Sequence, residues 1–337
     1  MVPTDGSQPN LTNDRIDLSL ATLDGLKTAG APVTDDHGLQ SNAGLPRIVS
    51  DYITAALADN TRQAYRGDLQ DFLMWGGVLP STPAMLAAYI ADRATTLSPH
   101  TITRRVVGIS KAHTSSGFDD PAKNDLVRAV LRGIRRTHGK PQRQAVPLLK
   151  QDILNLLPLM TGTKGVRDRA LVLLGYSAAL RRSEVVSLDY TDLAFVNQGL
   201  VVHLRKCKTD QESNGRKIGV PYGRAACPVK AVQEWLEHSQ ITSGPIFRSV
   251  SKGGQVKADR LTAQSVSLIL KSYSAAAGLK PENISGHSLR SGLVTSAAQA
   301  GIATHQIMKQ TGHRSLEMIN RYIRDASLFD NNAAAFL

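Results

Sequence analysis

Residues 138–147, with the sequence HGKPQRQAVP, divide this chain into two parts that must fold separately. The stretch contains two prolines and no apolar periodicity, which is typical of an extended linker between domains. Before it, apolar residues recur only at helical spacing, whereas after it helical stretches alternate with short β-type runs. The whole chain has 337 residues, so both parts are long enough to bury a core of their own.

The part before the linker is predicted to be an all-α domain over residues 47–137. Helical spacing covers 48–57 and 61–75, and the pairs Thr82-Pro83 and Ser98-Pro99 each place a capping hydroxyl before a proline at the first helical position. These pairs open helices at 83–94 and 99–115, and a fifth helix follows at 121–137. Residues 1–46 are rich in Gly, Pro, Ser, Asn and Asp, so we expect a flexible acidic arm ahead of the domain.

The part after the linker, residues 148–325, is predicted to be mainly helical with one small antiparallel sheet. Helical spacing covers 149–160, 166–178 and 181–188, and β-type runs follow at 193–196, 200–204 and 217–220. Helices return at 228–239, 262–277, 288–300, 304–310 and 315–322. The predicted fold class is therefore mostly α: an all-α N-terminal domain followed by a mainly α domain with a small antiparallel β-sheet.

Composition excludes several classes of protein. The longest nearly apolar run, residues 170–180, is far shorter than the roughly 20 residues that cross a bilayer, so no membrane association and a cytoplasmic location are expected. The two cysteines, Cys207 and Cys227, lack metal-ligand spacing, which argues against a disulfide framework or a zinc site. Because phosphate-loop, dinucleotide and HExxH motifs are also missing from the sequence, we expect neither a metal nor a nucleotide cofactor.

Charge indicates a polyanionic partner. The chain has a net charge of +12, and residues 1–46 hold two basic and six acidic side chains, so residues 47–337 carry +16. Nucleic acid is the common polyanion, although a surplus that only aids solubility is the alternative. Residues 101–147 contain ten basic and three acidic side chains, and helical spacing places three of these arginines on one face of a helix. This face is predicted to contact DNA, and the alternative is a basic surface that is only solvated. The predicted DNA contacts are Arg62, Arg66, Arg104, Arg105, Arg128, Arg132, Arg135 and Arg136.

Residues suited to phosphoryl chemistry recur in the second part. Arg181 and Glu184 in ALRRSEVVSL are three apart, which would put both on one helical face where the carboxylate holds the guanidinium. His287 and Arg290 repeat this spacing in GHSLRSG. Taken singly, the first motif is equally explained by an ordinary surface ion pair, and the second by a chance His-x-x-Arg match.

Four segments in order resemble the tyrosine recombinase (phage integrase) family. They are ALRRSE, the predicted hairpin segment RKCKT, GHSLRSG, and TGHRS with a tyrosine nine residues after its histidine. The helical part is similar to the core-binding domain of Cre-like members in NTRQAY and SPHTI, so the likeness covers about residues 47–325. The chain departs from the family at Ala179, where glycine is usual, at Arg182, where an aliphatic residue is common, and at His313, where close Cre-like relatives often have tryptophan.

The resemblance implies a role for each site residue. Tyr322 would be the nucleophile that forms a 3′-phosphotyrosyl bond, and Arg181 and Arg290 would clamp the phosphate oxygens. Lys208 would protonate the 5′ hydroxyl that leaves, with Lys206 as the alternative. The remaining implied site residues are Glu184, which holds Arg181, and His287 and His313, which donate hydrogen bonds to the phosphate and assist proton transfer.

The resemblance also implies the reaction and the partners. We expect a site-specific DNA recombinase that integrates, excises or resolves DNA elements without metal or ATP, as a homotetramer on two double-stranded DNA sites. A bacterial, phage or plasmid origin and association with the nucleoid would follow, and residues 326–337 are a candidate segment for docking on a neighbouring protomer. The alternatives are a non-catalytic DNA-binding regulator of the same fold, an enzyme like a telomere resolvase or type IB topoisomerase, and a metal-dependent nuclease.

Overall fold

The structure is a computed structural model that describes residues 57–140, 145–205 and 215–313, together with 315–317, 319 and 322. The chain divides into two compact units between residues 142 and 143. Several predicted features lie outside the described residues: the arm, most of the first helix, the hairpin lysines and the segment 326–337. Across the described part of the chain, no helix is long and apolar enough to cross a bilayer.

The described residues of the first unit form four α-helices around one core. The helices are α1 (Asp59–Met74), α2 (Pro83–Arg93), α3 (Pro99–Ser115) and α4 (Asp125–His138). Phe72 and Tyr89 meet edge to face with ring centroids 5.1 Å apart, and Ile90 and Ile109 are fully buried beside them. Burial of each such side chain stabilises the unit by about 1.5–3 kcal/mol.

The capping residues decide where these helices begin. The hydroxyl of Thr82 accepts a hydrogen bond from the Met85 N–H, and the Ser98 hydroxyl accepts one from Thr101. The predicted start of the last helix at residue 121 is wrong, because Pro121–Lys123 is a separate 3₁₀ turn. The Asn124 side chain then accepts from a backbone N–H at residue 126 and starts α4 at Asp125.

The described residues of the second unit are mainly helical and contain two small sheets. Its helices are α5 (Lys150–Leu156), α6 (Gly162–Ser177), α7 (Arg182–Ser187), α8 (Pro228–Ser239), α9 (Ala263–Ala276), α10 (Ser288–Gln299) and α11 (Thr304–Thr311). Its strands are β1 (Leu193–Val196), β2 (Gly199–Leu204), β3 (Arg216–Pro221), β4 (Arg248–Val250) and β5 (Val256–Arg260). These elements, with the all-helical first unit, confirm the predicted fold class.

The strands β1, β2 and β3 form the predicted antiparallel sheet in that order. Val202 lies opposite Leu193 on one side and Ile218 on the other. Val202 and Ile218 belong to the core that Trp235 and Leu174 also fill, and the half-buried Leu193 packs against it. The β4–β5 hairpin is absent from the sequence prediction, because its strands carry two valines and one alanine among polar and charged residues. The core of this unit thus supports the short elements that carry the site.

Candidate active site

Arg181 lies at the start of α7, where it is the N-cap residue. Glu184 accepts two hydrogen bonds from it: Oε2 from the Arg181 backbone N–H at 2.8 Å and Oε1 from its Nη1 at 2.5 Å. The expectation that both residues share a helical face is therefore wrong, because Arg181 has extended backbone angles and precedes the helix. The buried carboxylate of Glu184 instead holds both the backbone turn at the start of α7 and the Arg181 guanidinium in place.

Arg182 is exposed, and its Nη1 lies 3.5 Å from the Ser267 hydroxyl. Arg181, by contrast, is close enough to lower the pKa of Arg290 and of both candidate histidines. The side chain of Arg181 is therefore the one that belongs to the cationic cluster.

Arg290 is the most enclosed charged group of the site, with 1% of its surface exposed on α10. Its Nη1 donates to the carbonyl oxygen of Ala179 at 2.7 Å, and its Nη2 lies 3.3 Å from Nε2 of His313. Burial, and next the positive charge of Arg181, lowers the pKa of Arg290 to about 10, so it remains charged at neutral pH. Two contacts therefore hold a charged guanidinium in a largely dry site.

Ala179 has a φ of +51°, in the left-handed region that glycine adopts freely. An alanine there costs about 1–2 kcal/mol relative to the ordinary right-handed conformation. The turn directs the Ala179 carbonyl oxygen to Arg290, which gives a physical reason for the glycine usual at this position of the family.

His313 lies just after α11, beyond the left-handed turn at Gly312, which has a φ of +69°. Its Nδ1 is 2.6 Å from the Thr311 hydroxyl oxygen, and that hydroxyl donates to the carbonyl of Ile307 at 2.8 Å. Burial, followed by the charge of Arg290, lowers the pKa of His313 to about 4. The ring is therefore neutral at pH 7.

The hydroxyl of Tyr322 lies 2.7 Å from Nε2 of His287, the residue that immediately precedes α10. The Tyr322 ring packs with a small cluster that includes the buried Val294, Ile307 and Ile319. Loss of solvation, followed by the charges of Arg290 and Arg181, lowers the pKa of His287 from 6.5. A neutral imidazole therefore faces the tyrosine at neutral pH.

Two residues of this region, Arg216 and Gln310, are absent from the sequence prediction. Arg216 on β3 donates to the Gln310 carbonyl at 3.3 Å, and its charge further lowers the pKa of Arg290 and His313. The Gln310 side chain donates to the carbonyls of Ser177 and Gly219 at 2.8 and 3.2 Å. Arg216 directly precedes a predicted strand, but nothing in the spacing indicates that it approaches α11.

The structure brings together six of the seven predicted catalytic residues: Arg181, Glu184, His287, Arg290, His313 and Tyr322. Lys208 and its alternative Lys206 lie outside the described residues. Within the described part of the chain, no group of three or more His, Cys, Asp or Glu side chains is placed to hold a metal ion.

The predicted DNA contacts separate into exposed and internal arginines. On α4, Arg128, Arg132, Arg135 and Arg136 are all exposed, whereas Val127 and Ile134 of the same helix are buried. Of the two on α1, Arg66 is exposed, and Arg62 pairs with Asp59.

Arg104 and Arg105 on α3 contact acidic residues of α1. Arg104 donates to the buried Asp68 at 2.8 Å, with 45% of its side chain still exposed. Arg105, with only 15% of its side chain exposed, contacts Asp71 and donates to the Tyr89 hydroxyl at 2.7 Å. The structure thus gives Arg105 an internal role, because carboxylates already occupy its guanidinium.

Comparison with known proteins agrees with this arrangement. The model of the phage integrase family matches residues 148–328. An integrase/recombinase XerD homolog of Selenomonas ruminantium is 39% identical over 307 residues, covering 88% of this chain and 90% of that protein. The Cre recombinase of Escherichia phage P1 is 25% identical over 268 residues, covering 73% of this chain and 77% of that protein.

Solved structures show the same fold. A lambda integrase dimer bound to a COC′ core site matches with a TM-score of 0.58 at 15% identity, over 83% of this chain and 75% of that one. A XerH site-specific recombinase on a palindromic difH substrate matches with a TM-score of 0.53 at 18% identity, over 74% and 69% of the two chains. The chain belongs to the phage integrase family. It is a tyrosine recombinase, a DNA-binding enzyme that breaks and rejoins DNA strands at specific sites.

Proposed function

We propose that Tyr322 is the nucleophile of this recombinase. Its oxygen attacks the scissile phosphorus, a 3′-phosphotyrosyl bond forms, and the bond from phosphorus to the 5′ oxygen of the next nucleotide breaks. The energy of the phosphodiester is kept in the new ester, so a 5′ hydroxyl of another strand restores the backbone without ATP. The observation that carries the proposal is the 2.7 Å contact between the Tyr322 hydroxyl and His287, beside the cluster of arginines.

His287 accepts the proton of the attacking phenol in this mechanism. A free phenol ionises near pH 10 and is a poor nucleophile at neutral pH unless a base takes its proton or nearby cations stabilise the phenolate. The lowered pKa of His287 supports the role of base, because it keeps Nε2 free to receive a proton at pH 7. This assigns to His287 a proton transfer to the enzyme and not only a hydrogen bond to the phosphate.

Arg181 and Arg290 bind the non-bridging phosphate oxygens. A guanidinium has a planar fork of donors that matches two oxygens and stays charged where an amine would lose its proton. Each group is held before DNA arrives, Arg181 by Glu184 and Arg290 by the carbonyl of Ala179. Donors that are already oriented stabilise the charge of the pentacoordinate transition state without reorganising.

We further propose that Lys208 protonates the 5′ oxygen as it leaves, with Lys206 as the alternative. The exposed arginines of α4 bind DNA backbone outside the site, where neutralised phosphates release counterions. The working assembly is a homotetramer on two DNA sites, with residues 326–337 docked on a neighbour. Because its substrate is DNA, the enzyme acts in the cytoplasm with the nucleoid.

A substrate with a 5′-bridging phosphorothioate tests which residue supplies the proton. Sulfur leaves without needing a proton, so this substrate should restore cleavage to Lys208→Ala but not to Arg290→Ala. Rescue of Lys206→Ala, and not of Lys208→Ala, would identify Lys206 as the residue that supplies the proton. Rescue of neither would remove the hairpin lysines from the reaction, and rescue of Arg290→Ala would contradict its role as an oxyanion clamp.

A further inference from the structure

Three successive backbone N–H groups in the turn before α10 each donate to a serine hydroxyl. The N–H of Ser285 donates to the Ser288 hydroxyl at 3.0 Å, and the N–H of His287 donates to the Ser285 hydroxyl at 3.1 Å. Between them, the N–H of Gly286 donates at 3.1 Å to the hydroxyl of Ser267, which belongs to α9. The bond to Ser267 is thus the one of the three that links the turn to another element.

Gly286 lies close against both α7 and α9. A Cβ on this residue would lie 2.8 Å from the Arg182 Cβ and 3.1 Å from the Ser267 hydroxyl oxygen, so only glycine permits this approach. Because Gly286 is buried, its N–H has little access to water as a substitute acceptor. Nη1 of Arg182 also approaches the Ser267 hydroxyl, but 3.5 Å is longer than an ordinary N–H···O bond, so Gly286 is the principal donor.

His287 follows this glycine directly and carries the imidazole that meets the tyrosine. Its Nε2 is 2.7 Å from the Tyr322 hydroxyl, and its backbone carbonyl accepts from the N–H of Ser291 on α10 at 3.0 Å. A displacement of about 0.5 Å or more would separate the two reacting atoms beyond the roughly 3.2 Å that proton transfer requires. The backbone position of Gly286 therefore bears directly on the contact between His287 and Tyr322.

We propose that Ser267 is a positioning residue, whose hydroxyl anchors the turn before α10 to α9 and so holds the His287 imidazole at the Tyr322 hydroxyl. This inference rests on the proposed role of His287 as the base that accepts the tyrosine proton. Ser267 acts through the backbone of Gly286 and not on the reacting atoms. The two bonds inside the turn give it its shape, and the bond to Ser267 gives it its place relative to α9.

Ser267→Ala removes the acceptor, and Ser272→Ala, at an exposed serine of the same helix, is the matched control. At saturating DNA, the single-turnover rate on a suicide substrate should fall about tenfold in Ser267→Ala and stay at the wild-type value in the control. Adding Ser267→Ala to His287→Gln should slow cleavage no further, because Ser267 acts through His287. A wild-type rate in folded Ser267→Ala, or a full additional loss in the double variant, would overturn the proposal.

The pKa of His287 provides a readout that does not depend on the chemical step. Burial, followed by the charges of Arg290 and Arg181, lowers this pKa in the anchored turn, so release of the turn should raise it toward 6.5. NMR titration of the full-length protein without DNA, with the His287 signal assigned by its loss in His287→Gln, should show the rise in Ser267→Ala and not in Ser272→Ala.

The two measurements separate failure of the anchor from failure of the base. An unchanged pKa of His287 in folded Ser267→Ala would overturn the anchor. A raised pKa together with a wild-type rate in His287→Gln would support the anchor and contradict the role of His287 as base. If the alanine variant does not fold, Ser267→Cys, whose thiol is only a weak acceptor, takes its place with the same expectations.

Discussion

At the residue scale, this site concentrates positive charge and keeps its histidines neutral. Arg290 stays charged at neutral pH, and burial, followed by the charges of Arg290 and Arg181, lowers the pKa of both His287 and His313. The site therefore offers donors to the phosphate and a free acceptor to the tyrosine proton at the same pH. A lysine in place of the buried Arg290 would lack the planar fork and would lose its charge more readily on burial.

The pH dependence of cleavage should follow from the proposed role of His287 as the base. Its pKa lies below 6.5, and protonation removes the acceptor for the Tyr322 proton. The single-turnover rate on a suicide substrate should therefore be flat near pH 7 and fall in acid, with a half-maximal point below pH 6.5. A midpoint at or above pH 6.5, or an unchanged acidic limb in His287→Gln, would count against His287 as the base.

Arg181 and its neighbour Arg182 provide a matched pair. Arg181→Ala should slow cleavage by about two orders of magnitude or more, on the scale of losing one oriented oxyanion donor. Arg182→Ala removes the same charge from an exposed position, so its cleavage rate should remain within about threefold of wild type at saturating DNA. Equal losses in both variants would show that general attraction, and not a specific clamp, explains the effect.

At the scale of elements, the C-terminal end of α11 is fastened to two other parts of the unit. Gln310 bridges to the carbonyls of Ser177, at the end of α6, and Gly219, on β3, while Arg216 donates to the carbonyl of Gln310. The residues that follow are those of the site, His313 among them. The strand β3 and the turn before Arg181 are thereby tied to the element that leads to Tyr322.

Gln310→Ala should therefore affect both stability and chemistry. The substitution leaves two carbonyls without this donor and should lower the free energy of unfolding by about 1–2 kcal/mol, while cleavage slows at saturating DNA. Gln306→Ala, an exposed change on the same helix, is the control and should alter neither. Thermal unfolding and single-turnover cleavage check the pair, and a Gln310 variant that matches the control would show that the bridge is unimportant.

The helices α3 and α4 of the first unit should respond differently when one of their arginines is neutralised. Arg132→Gln on α4 should reduce the slope of log affinity against log salt by about 0.9 for each phosphate that the protein no longer neutralises, with unfolding unchanged. Arg105→Gln on α3 should leave the salt slope unchanged and destabilise the unit by about 1–3 kcal/mol, because Asp71 and Tyr89 lose a charged partner. If Arg105→Gln reduced the salt slope and Arg132→Gln destabilised the unit instead, Arg105 would be the DNA contact and Arg132 the internal residue.

At the scale of the whole molecule, periodicity and capping predict most of the fold. The proline-preceding caps place α2 and α3, and alternation places β1 to β3, because these signals are local in sequence. The 3₁₀ turn before α4 and the β4–β5 hairpin escape prediction, since a cap at Asn124 and a short polar hairpin leave little periodic signal.

The candidate site is predictable in its residue types but not in its geometry. Motif order identifies Arg181, Arg290 and Tyr322 as site residues by resemblance. The internal role of Arg105 and the hydrogen bond of Arg216 with the end of α11 depend on partners distant in sequence, which spacing does not reveal.

The central claim is that Tyr322 forms a covalent bond with DNA within this cationic site. Its most direct test is adduct formation by the full-length protein on a suicide substrate that carries the recombination site, with EDTA present and ATP absent. The wild-type protein should give a denaturant-resistant protein–DNA adduct whose linked peptide contains Tyr322, whereas Tyr322→Phe should bind the same DNA with similar affinity and give none. An adduct in the phenylalanine variant, or a wild-type linkage at another residue, would contradict the account.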